Sequence, residues 1–329
     1  MLQVTIIVPC LNEERTITKL LQAILLQDFP LDELEVIIAD GNSTDGTRER
    51  ISDFQVEHKD LRLSIVDNVS RSIPAGLNLA LNAANGEYVV RLDAHCVPQA
   101  DYIRKCVAAL NDERGWNVGG VWDIQPGAET WVAEAIAIAA SHPLGVGDAF
   151  YRFADRAREV DTVPFGAFRR DLIEKIGGFD EKLRSNEDYE FNTRIRLAGG
   201  KVWLDPSIRS IYFARPTLSE LARQYARYGY WKARMLRRYA RTIRLRQALP
   251  PLFVLSLIAL PIISLVLPWA LWLLLLEVVS YLLILFSAGL REALEHKKVQ
   301  LIIGIPLAIA TMHISWGAAF IWSLVTPGQ

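Results

Sequence analysis

From Leu249 onward the chain carries almost no charge, and this tail constrains the fold more than any other feature. Leu249 to Leu267 is uncharged, Trp269 to Leu290 is uncharged apart from Glu277, and Val299 to Val325 forms a third apolar run. Each run approaches the ~20 residues that a helix needs to cross a bilayer. Pro268 makes a corner between the first two, and the polar segment Arg291 to Lys298 separates the second from the third. Buried helices in a soluble core would have to hide roughly 80 residues with so little charge, so the pattern predicts three spans.

The net charge of −1 conceals this asymmetry, because nearly all the charge precedes residue 249. Arg234, Arg237, Arg238, Arg241, Arg244 and Arg246 precede the first run, and Arg291, Lys297 and Lys298 follow the second. Cations at span ends favour the cytoplasm, which predicts cytoplasmic flanks with the Pro268 corner and the C-terminus outside. Met1 leads directly into the strand-like Val4 to Pro9 without a basic start or cleavage site, so the polar half is expected to stay cytoplasmic. The expected location is a bacterial-type inner membrane, with the protein integral to it. Cys10, Cys96 and Cys106 are too few for a disulfide framework and read as small buried side chains in a reducing compartment. Glu277 inside a span reads equally as a functional group or as a carboxyl neutralised by a neighbouring helix.

Through the first half, strand-like and helix-like patterns alternate, as in a mainly parallel sheet covered on both sides. Expected strands are Val4–Val8, Glu35–Asp40, Leu61–Val66 and Tyr88–Leu92. Expected helices are Glu13–Leu26, Gly46–Phe54, Pro74–Ala84 and Asp101–Leu110. Ligands collect at the carboxyl ends of such strands. There the chain places Pro9-Cys10-Leu11-Asn12-Glu13-Glu14, then Asp40 to Thr47, then Asp93-Ala94-His95. Each could be a capped turn, but clustered carboxylates repel unless a cation or donor offsets them. A phosphate-bearing ligand with a divalent metal resolves that repulsion. In an extended segment Asp93 and His95 point the same way and could grip Mg²⁺ or, given the imidazole, Mn²⁺. No Gly-x-Gly-x-x-Gly follows the first strand and no Gly-Lys-Ser/Thr loop occurs, which argues against nicotinamide and P-loop chemistry.

These motifs, taken in order, resemble glycosyltransferase family 2, the inverting enzymes of the GT-A fold. The resemblance rests on Ile7 to Glu14, Ala39 to Thr47, Pro74 to Ala80, Asp93-Ala94-His95, Asn186-Glu187-Asp188 and Gln224-Tyr225-Ala226-Arg227-Tyr228, and covers about residues 4–231. Within the family the chain is most similar to the succinoglycan-biosynthesis type of membrane-bound glycosyltransferase, which shares Asp-Ala-His and a stretch like Phe165 to Arg170. His95 stands where most relatives have a second Asp, and Tyr228 where they have Trp. The implied architecture is a GT-A domain, Rossmann-like with a mainly parallel mixed sheet, over residues 1–215. Basic amphipathic interfacial helices over 216–248 and a transmembrane region over 249–329 follow.

The resemblance implies that Asp40 reads the uracil or ribose, with Pro9 and Glu13 lining the nucleoside pocket and Asn12, Ser43 and Gly76 in the donor site. Asp93 and His95 would hold the diphosphate through Mn²⁺ or Mg²⁺, and Gln224 and Arg227 would close over the phosphates. Asp188 would be the base and Glu187 would orient the acceptor; Asn186-Glu187-Asp188 also reads as a helix N-cap with an acidic first turn. The expected reaction moves a sugar, UDP-glucose by default, from a UDP-sugar donor to a lipid-linked acceptor. Competing readings are a polyprenyl-phosphate glycosyl synthase, a processive polysaccharide synthase and an inactive nucleotide-sugar-binding scaffold. The basic, aromatic-rich stretch from Thr217 to Arg246 next to a span suits anionic membrane lipid rather than nucleic acid.

Overall fold

The computed structural model describes residues 2–326. They form two compact units, Met1–Asp123 with Phe150–Tyr212, and Ile124–Ala149 with Phe213–Gln329.

The first unit is built on a nine-stranded sheet. Its parallel half contains β1 (Val4–Cys10), β2 (Leu34–Asp40), β3 (Arg62–Asp67) and β4 (Tyr88–Arg91). Then come β5 (Val97–Pro98), β6 (Asn117–Gln125), β7 (Arg158–Glu159), β8 (Ala167–Arg169) and β9 (Val202–Phe213). The order is β3-β2-β1-β4-β8-β6-β9-β5, with β7 also on β9. Strands β1, β2, β3 and β4 pair in parallel, while β8 joins β4 antiparallel. The sheet is therefore mixed and Rossmann-like, as the GT-A expectation requires.

Period-two alternation divides the apolar side chains between two cores. Val4, Ile6 and Val8 of β1, with Leu34, Val36 and Ile38 of β2, face α1 (Ile17–Leu25), α2 (Thr47–Glu57) and, further along the sheet, α4 (Tyr102–Asn111). Ile7, Ile37 and Val89 face α3 (Ile73–Ala83), α7 (Leu172–Ile176) and α8 (Glu187–Leu197). The expected start of the first helix at Glu13 is too early. Residues 13–16 make a turn, with the Glu13 N–H donated to Thr47 Oγ1 at 2.8 Å, so the helix begins at Ile17.

In the second unit α5 (Trp131–Ser141) and α6 (Pro143–Val146) precede α9 (Leu218–Leu236), α10 (Leu245–Ser264), α11 (Ala270–His296) and α12 (Leu301–Val325). Thr217 caps α9 by accepting the Glu220 N–H at 3.3 Å, and the expected helical stretch from 217 to 246 is interrupted around residues 237–244. The helices α10, α11 and α12 are each long and apolar enough to cross a membrane. Leu221 and Tyr225 of α9 pack with Ile305, Ala308, Ile309 and Met312 of α12, so the apolar face of the basic helix is covered by protein. Glu277 accepts a 2.6 Å hydrogen bond from Ser256 on α10.

Candidate active site

The parallel register puts Cys10 opposite Asp40, and Ile7 opposite Arg91, so the loops after β1, β2 and β4 emerge at one edge of the sheet. They are hydrogen-bonded into one another. The Asn12 N–H donates to Ser43 Oγ at 2.9 Å, and Asn12 Oδ1 accepts the Thr44 N–H at 2.8 Å. Asn12 and Asn42 both have positive φ, a conformation that Asn tolerates better than most residues. Ser43 Oγ donates to Asp40 at 2.5 Å, and Glu13 Oε1 lies 3.1 Å from His95 Nδ1. Asn12, Ser43 and Asp40 thus form one hydrogen-bonded set and Glu13 and His95 another, and Pro9 lies half-buried before them near the end of β1.

Asp40 is fully buried and accepts from Ser43 N–H, Ser43 Oγ and Arg48 Nε. Burial works to raise its pKa, but the Ser43 and Arg48 hydrogen bonds outweigh it and hold the carboxyl below its ordinary value. Arg48, which sequence reading overlooked, also pairs with Asp67. Gly76 is buried where an added Cβ would come within 2.8 Å of Asn68 Nδ2 and 3.3 Å of Ala39 Cβ, so it seats α3 against β2. All three cysteines are buried; for Cys10 burial, helped by Glu13 and Asp40, pushes the thiol up.

The expectation of an extended Asp93-Ala94-His95 is corrected by a tight turn, in which Cys96 N–H donates to the Asp93 carbonyl at 3.0 Å. The strand ends at Arg91, one residue before the expected Leu92. Among the described residues no group of three or more His, Cys, Asp or Glu side chains could hold a metal ion. Asp93 and His95 therefore fit only an ion that draws its remaining ligands from phosphate or water, as Mg²⁺ commonly does. As a carboxylate Glu13 accepts, so His95 donates to it from Nδ1.

The third part of the site is the start of α8. Asn186 occupies the N-cap position as expected, yet in a left-handed conformation with φ of 67° and no side-chain capping bond. The turn it makes directs Glu187 inward. Glu187 is 5% exposed and accepts a 2.8 Å hydrogen bond from Arg91, whereas Asp188 is only half-buried. Tyr189 binds Asp161, and Asn192 binds Thr162, the Val163 carbonyl and Asn117, so the helix is fixed by buried polar groups.

Arg91 joins this helix to the Asp93 turn. Its Nη2 lies 3.2 Å from Asp93 and 2.8 Å from Glu187; the guanidinium is 4% exposed, and its Nη1 is buried without a hydrogen-bond partner among the described residues. Burial opposes the cation, but Asp93, Glu187 and Asp188 together hold its proton more firmly than usual. Sequence reading missed Arg91 altogether. The available signal was a lone Arg inside Tyr88-Val89-Val90-Arg91-Leu92, since Arg is almost never fully buried unless paired.

Gln224 and Arg227 lie on α9 in the second unit. Gln224 is buried and donates to the Tyr228 hydroxyl at 3.0 Å, and the Arg227 guanidinium sits 6.0 Å from the Tyr228 ring centroid.

The family model of glycosyl transferase family 2 matches residues 5–177. The chain is 30% identical over 241 residues to the dolichyl N-acetyl-alpha-D-glucosaminyl phosphate 3-beta-D-2,3-diacetamido-2,3-dideoxy-beta-D-glucuronosyltransferase of Methanococcus voltae, covering 71% of this chain and 74% of that one. It is 31% identical over 248 residues to succinoglycan biosynthesis protein ExoA of Rhizobium meliloti, covering 74% and 73%. Among solved structures it is similar to mannosyltransferase PcManGT of Pyrobaculum calidifontis, determined with GDP-Man and Mn²⁺. That match has a TM-score of 0.65 at 25% identity, covering 98% of this chain and 87% of that one.

Proposed function

The chain belongs to glycosyltransferase family 2, and we propose that it moves a hexose from a UDP-sugar, UDP-glucose by default, to a lipid-linked saccharide in cell-surface polysaccharide assembly. The observation that carries this reading is Arg91, which brings the donor-side Asp93 and the acceptor-side Glu187 to one guanidinium. A lipid-linked acceptor is supported by the name of the Methanococcus voltae relative, which specifies a dolichyl-linked sugar phosphate, and by three apolar helices in this chain.

In this reading the interlocked loops carrying Pro9, Asn12, Glu13 and Ser43 bind the nucleoside. Asp40, enclosed by Ser43 and Arg48, shapes that loop rather than touching the base. By resemblance of motif, Gln224 and Arg227 are assigned to the diphosphate. Asp93 and His95 would hold Mn²⁺ or Mg²⁺, which supplies Lewis-acid stabilisation of the leaving diphosphate. Asp188 takes the proton from the acceptor hydroxyl as it attacks the anomeric carbon. One base and no enzyme nucleophile give a single displacement, with inversion. The catalytic unit is proposed to face the cytoplasm, where the flanking arginines favour it.

A donor panel tests the substrate. Membranes carrying the protein, given a lipid-linked acceptor, should transfer from UDP-glucose with Mn²⁺ or Mg²⁺ and lose transfer in EDTA. Exclusive use of GDP-mannose would overturn the donor assignment, EDTA-resistant transfer the metal, and equal rates on a water-soluble acceptor the lipid linkage.

Arg91 is proposed as a positioning residue. Arg91→Lys keeps the charge but loses the planar fork that reaches two carboxylates. The expected result is a kcat lower by roughly 10- to 100-fold, about 1.4–2.7 kcal/mol, with donor KM within a few-fold. A rise in KM at unchanged kcat would instead place Arg91 in donor binding.

A further inference from the structure

Composition alone makes α12 a third span, but its packing within the second unit argues otherwise. The helices α10 and α11 form a hairpin: Ser256 hydrogen-bonds Glu277, and the Phe253 and Tyr281 rings lie 4.4 Å apart. Depth along the hairpin can therefore be read at each point where α12 touches it. Near its start, α12 meets α11 at Gly289, where an added Cβ would come within 2.7 Å of the Ile302 carbonyl. Further on, His313 Nδ1 lies 3.0 Å from the Tyr281 hydroxyl. Gly317 then packs against Pro250 and Val254, the neighbours of Phe253, at the same depth as Tyr281. From Ile302 to His313 the helix runs about 16 Å, while its contact points advance about 12 Å along α11, from Gly289 to Tyr281. That is an inclination of roughly 45° to α11.

Charge decides against a crossing. At one end of α12, Lys298 pairs with Glu134 of α5 at 2.5 Å. At the other, Arg237 donates to the carbonyls of Ser323 at 2.6 Å and Thr326 at 3.1 Å, and Arg234 to Thr326 Oγ1 at 3.2 Å. Between these ends α9 runs beside α12, from Leu221 and Tyr225 to Ala233 and Leu236 against Phe320. Helix α9 carries Glu220, Arg223, Arg227, Lys232 and Arg234. At about 2.5–3.5 kcal/mol for each Arg or Lys at a bilayer centre, α9 cannot follow α12 through hydrocarbon. The uncovered residues of α12 are apolar, and Ile303, Leu307, Ile314 and Val325 among them fall on one stripe at helical spacing, with Trp322 and Leu324 exposed near the end of the helix. Such a stripe on an in-plane helix fits the acyl boundary of a lipid surface.

We infer that α12 does not cross the membrane but lies obliquely on the surface that the α10–α11 hairpin enters, packed between that hairpin and α9. The hairpin is the only crossing among the described residues, and the end of α12 stays on the side of α9. This inference places the end of α12 on the opposite side from that expected with three spans.

Two measurements on the full chain in intact bacterial cells test this. A C-terminal green fluorescent protein should fluoresce, and a C-terminal alkaline phosphatase should be inactive; an active phosphatase with a dark fluorescent fusion would overturn the inference. Val266→Cys, at the exposed hairpin tip, should react with a membrane-impermeant maleimide from outside over a low background, since the native cysteines are buried. Labelling of Val266→Cys only in inverted vesicles would overturn the crossing hairpin, and with it the inference.

Discussion

Asp188→Asn is expected to lower the turnover of sugar transfer by roughly 10²- to 10⁴-fold, the range contributed by a positioned general base. The substitution is close to isosteric, and Asp188 Oδ1 accepts the Tyr189 N–H at 2.7 Å, which an amide oxygen can also do. The start of α8 should therefore survive. Neighbouring Glu187 cannot take over the proton, because it is buried and bound by Arg91. Nucleotide binding, measured by calorimetry with UDP and Mn²⁺, should stay within a few-fold of wild type while transfer collapses. Near-normal turnover in a folded, nucleotide-binding variant would sink the assignment of Asp188. The same experiment separates two members of the enzyme class. A transferase acting on a lipid phosphate needs no base, since its acceptor is already anionic, so loss of activity on removing the carboxylate favours a hydroxyl acceptor.

The parts of the fold that could be read in advance are those where one physical signal acts alone. Strands β1, β2 and β4 are buried on both faces, so most positions are apolar and the run announces itself. The antiparallel half carries no such signal. β8 is three residues long, and β9 runs from Val202 to Phe213 through Asp205 and Pro206 with mixed exposure, so neither strand stands out from loop. Site residues followed the same division. Asn12, Glu13, Asp40 and Ser43 sit at strand ends where sheet topology says to look, whereas Arg91 is paired across 96 residues with Glu187. Only tertiary structure creates that pair. Hydropathy likewise marks α12 as apolar without saying whether lipid or protein covers it, and here α9 and α5 cover much of it.

Gly120→Ala is expected to destabilise the first unit by about 3 kcal/mol or more, the upper end of overpacking. A Cβ at this position would lie 1.8 Å from the Ile208 carbonyl oxygen and 2.5 Å from its carbon. These are backbone atoms of a neighbouring strand, so no side-chain rotation relieves the clash and β6 must separate from β9. At roughly 2–4 °C per kcal/mol for a domain of this size, thermal unfolding should begin about 6–12 °C lower. Gly199 supplies the contrast. It follows α8 with φ of 86° and nothing within 4 Å of an added Cβ, so Ala there meets only the left-handed backbone cost of about 1–2 kcal/mol. Reduced entropy of the unfolded chain offsets roughly 0.4–1 kcal/mol of that cost. Gly199→Ala should therefore shift unfolding by only a few degrees, about 2–4 °C. Tryptophan fluorescence during heating in detergent would distinguish the two, and equal shifts would refute the role given to close strand approach. The effect should also reach the chemistry. β8 lies between β6 and β4, and Gly166, just before β8, accepts the Arg91 N–H at 3.0 Å. Displacing β6 therefore disturbs the strand that carries Arg91 toward Asp93 and Glu187, and Gly120→Ala should lose transfer even below its unfolding temperature.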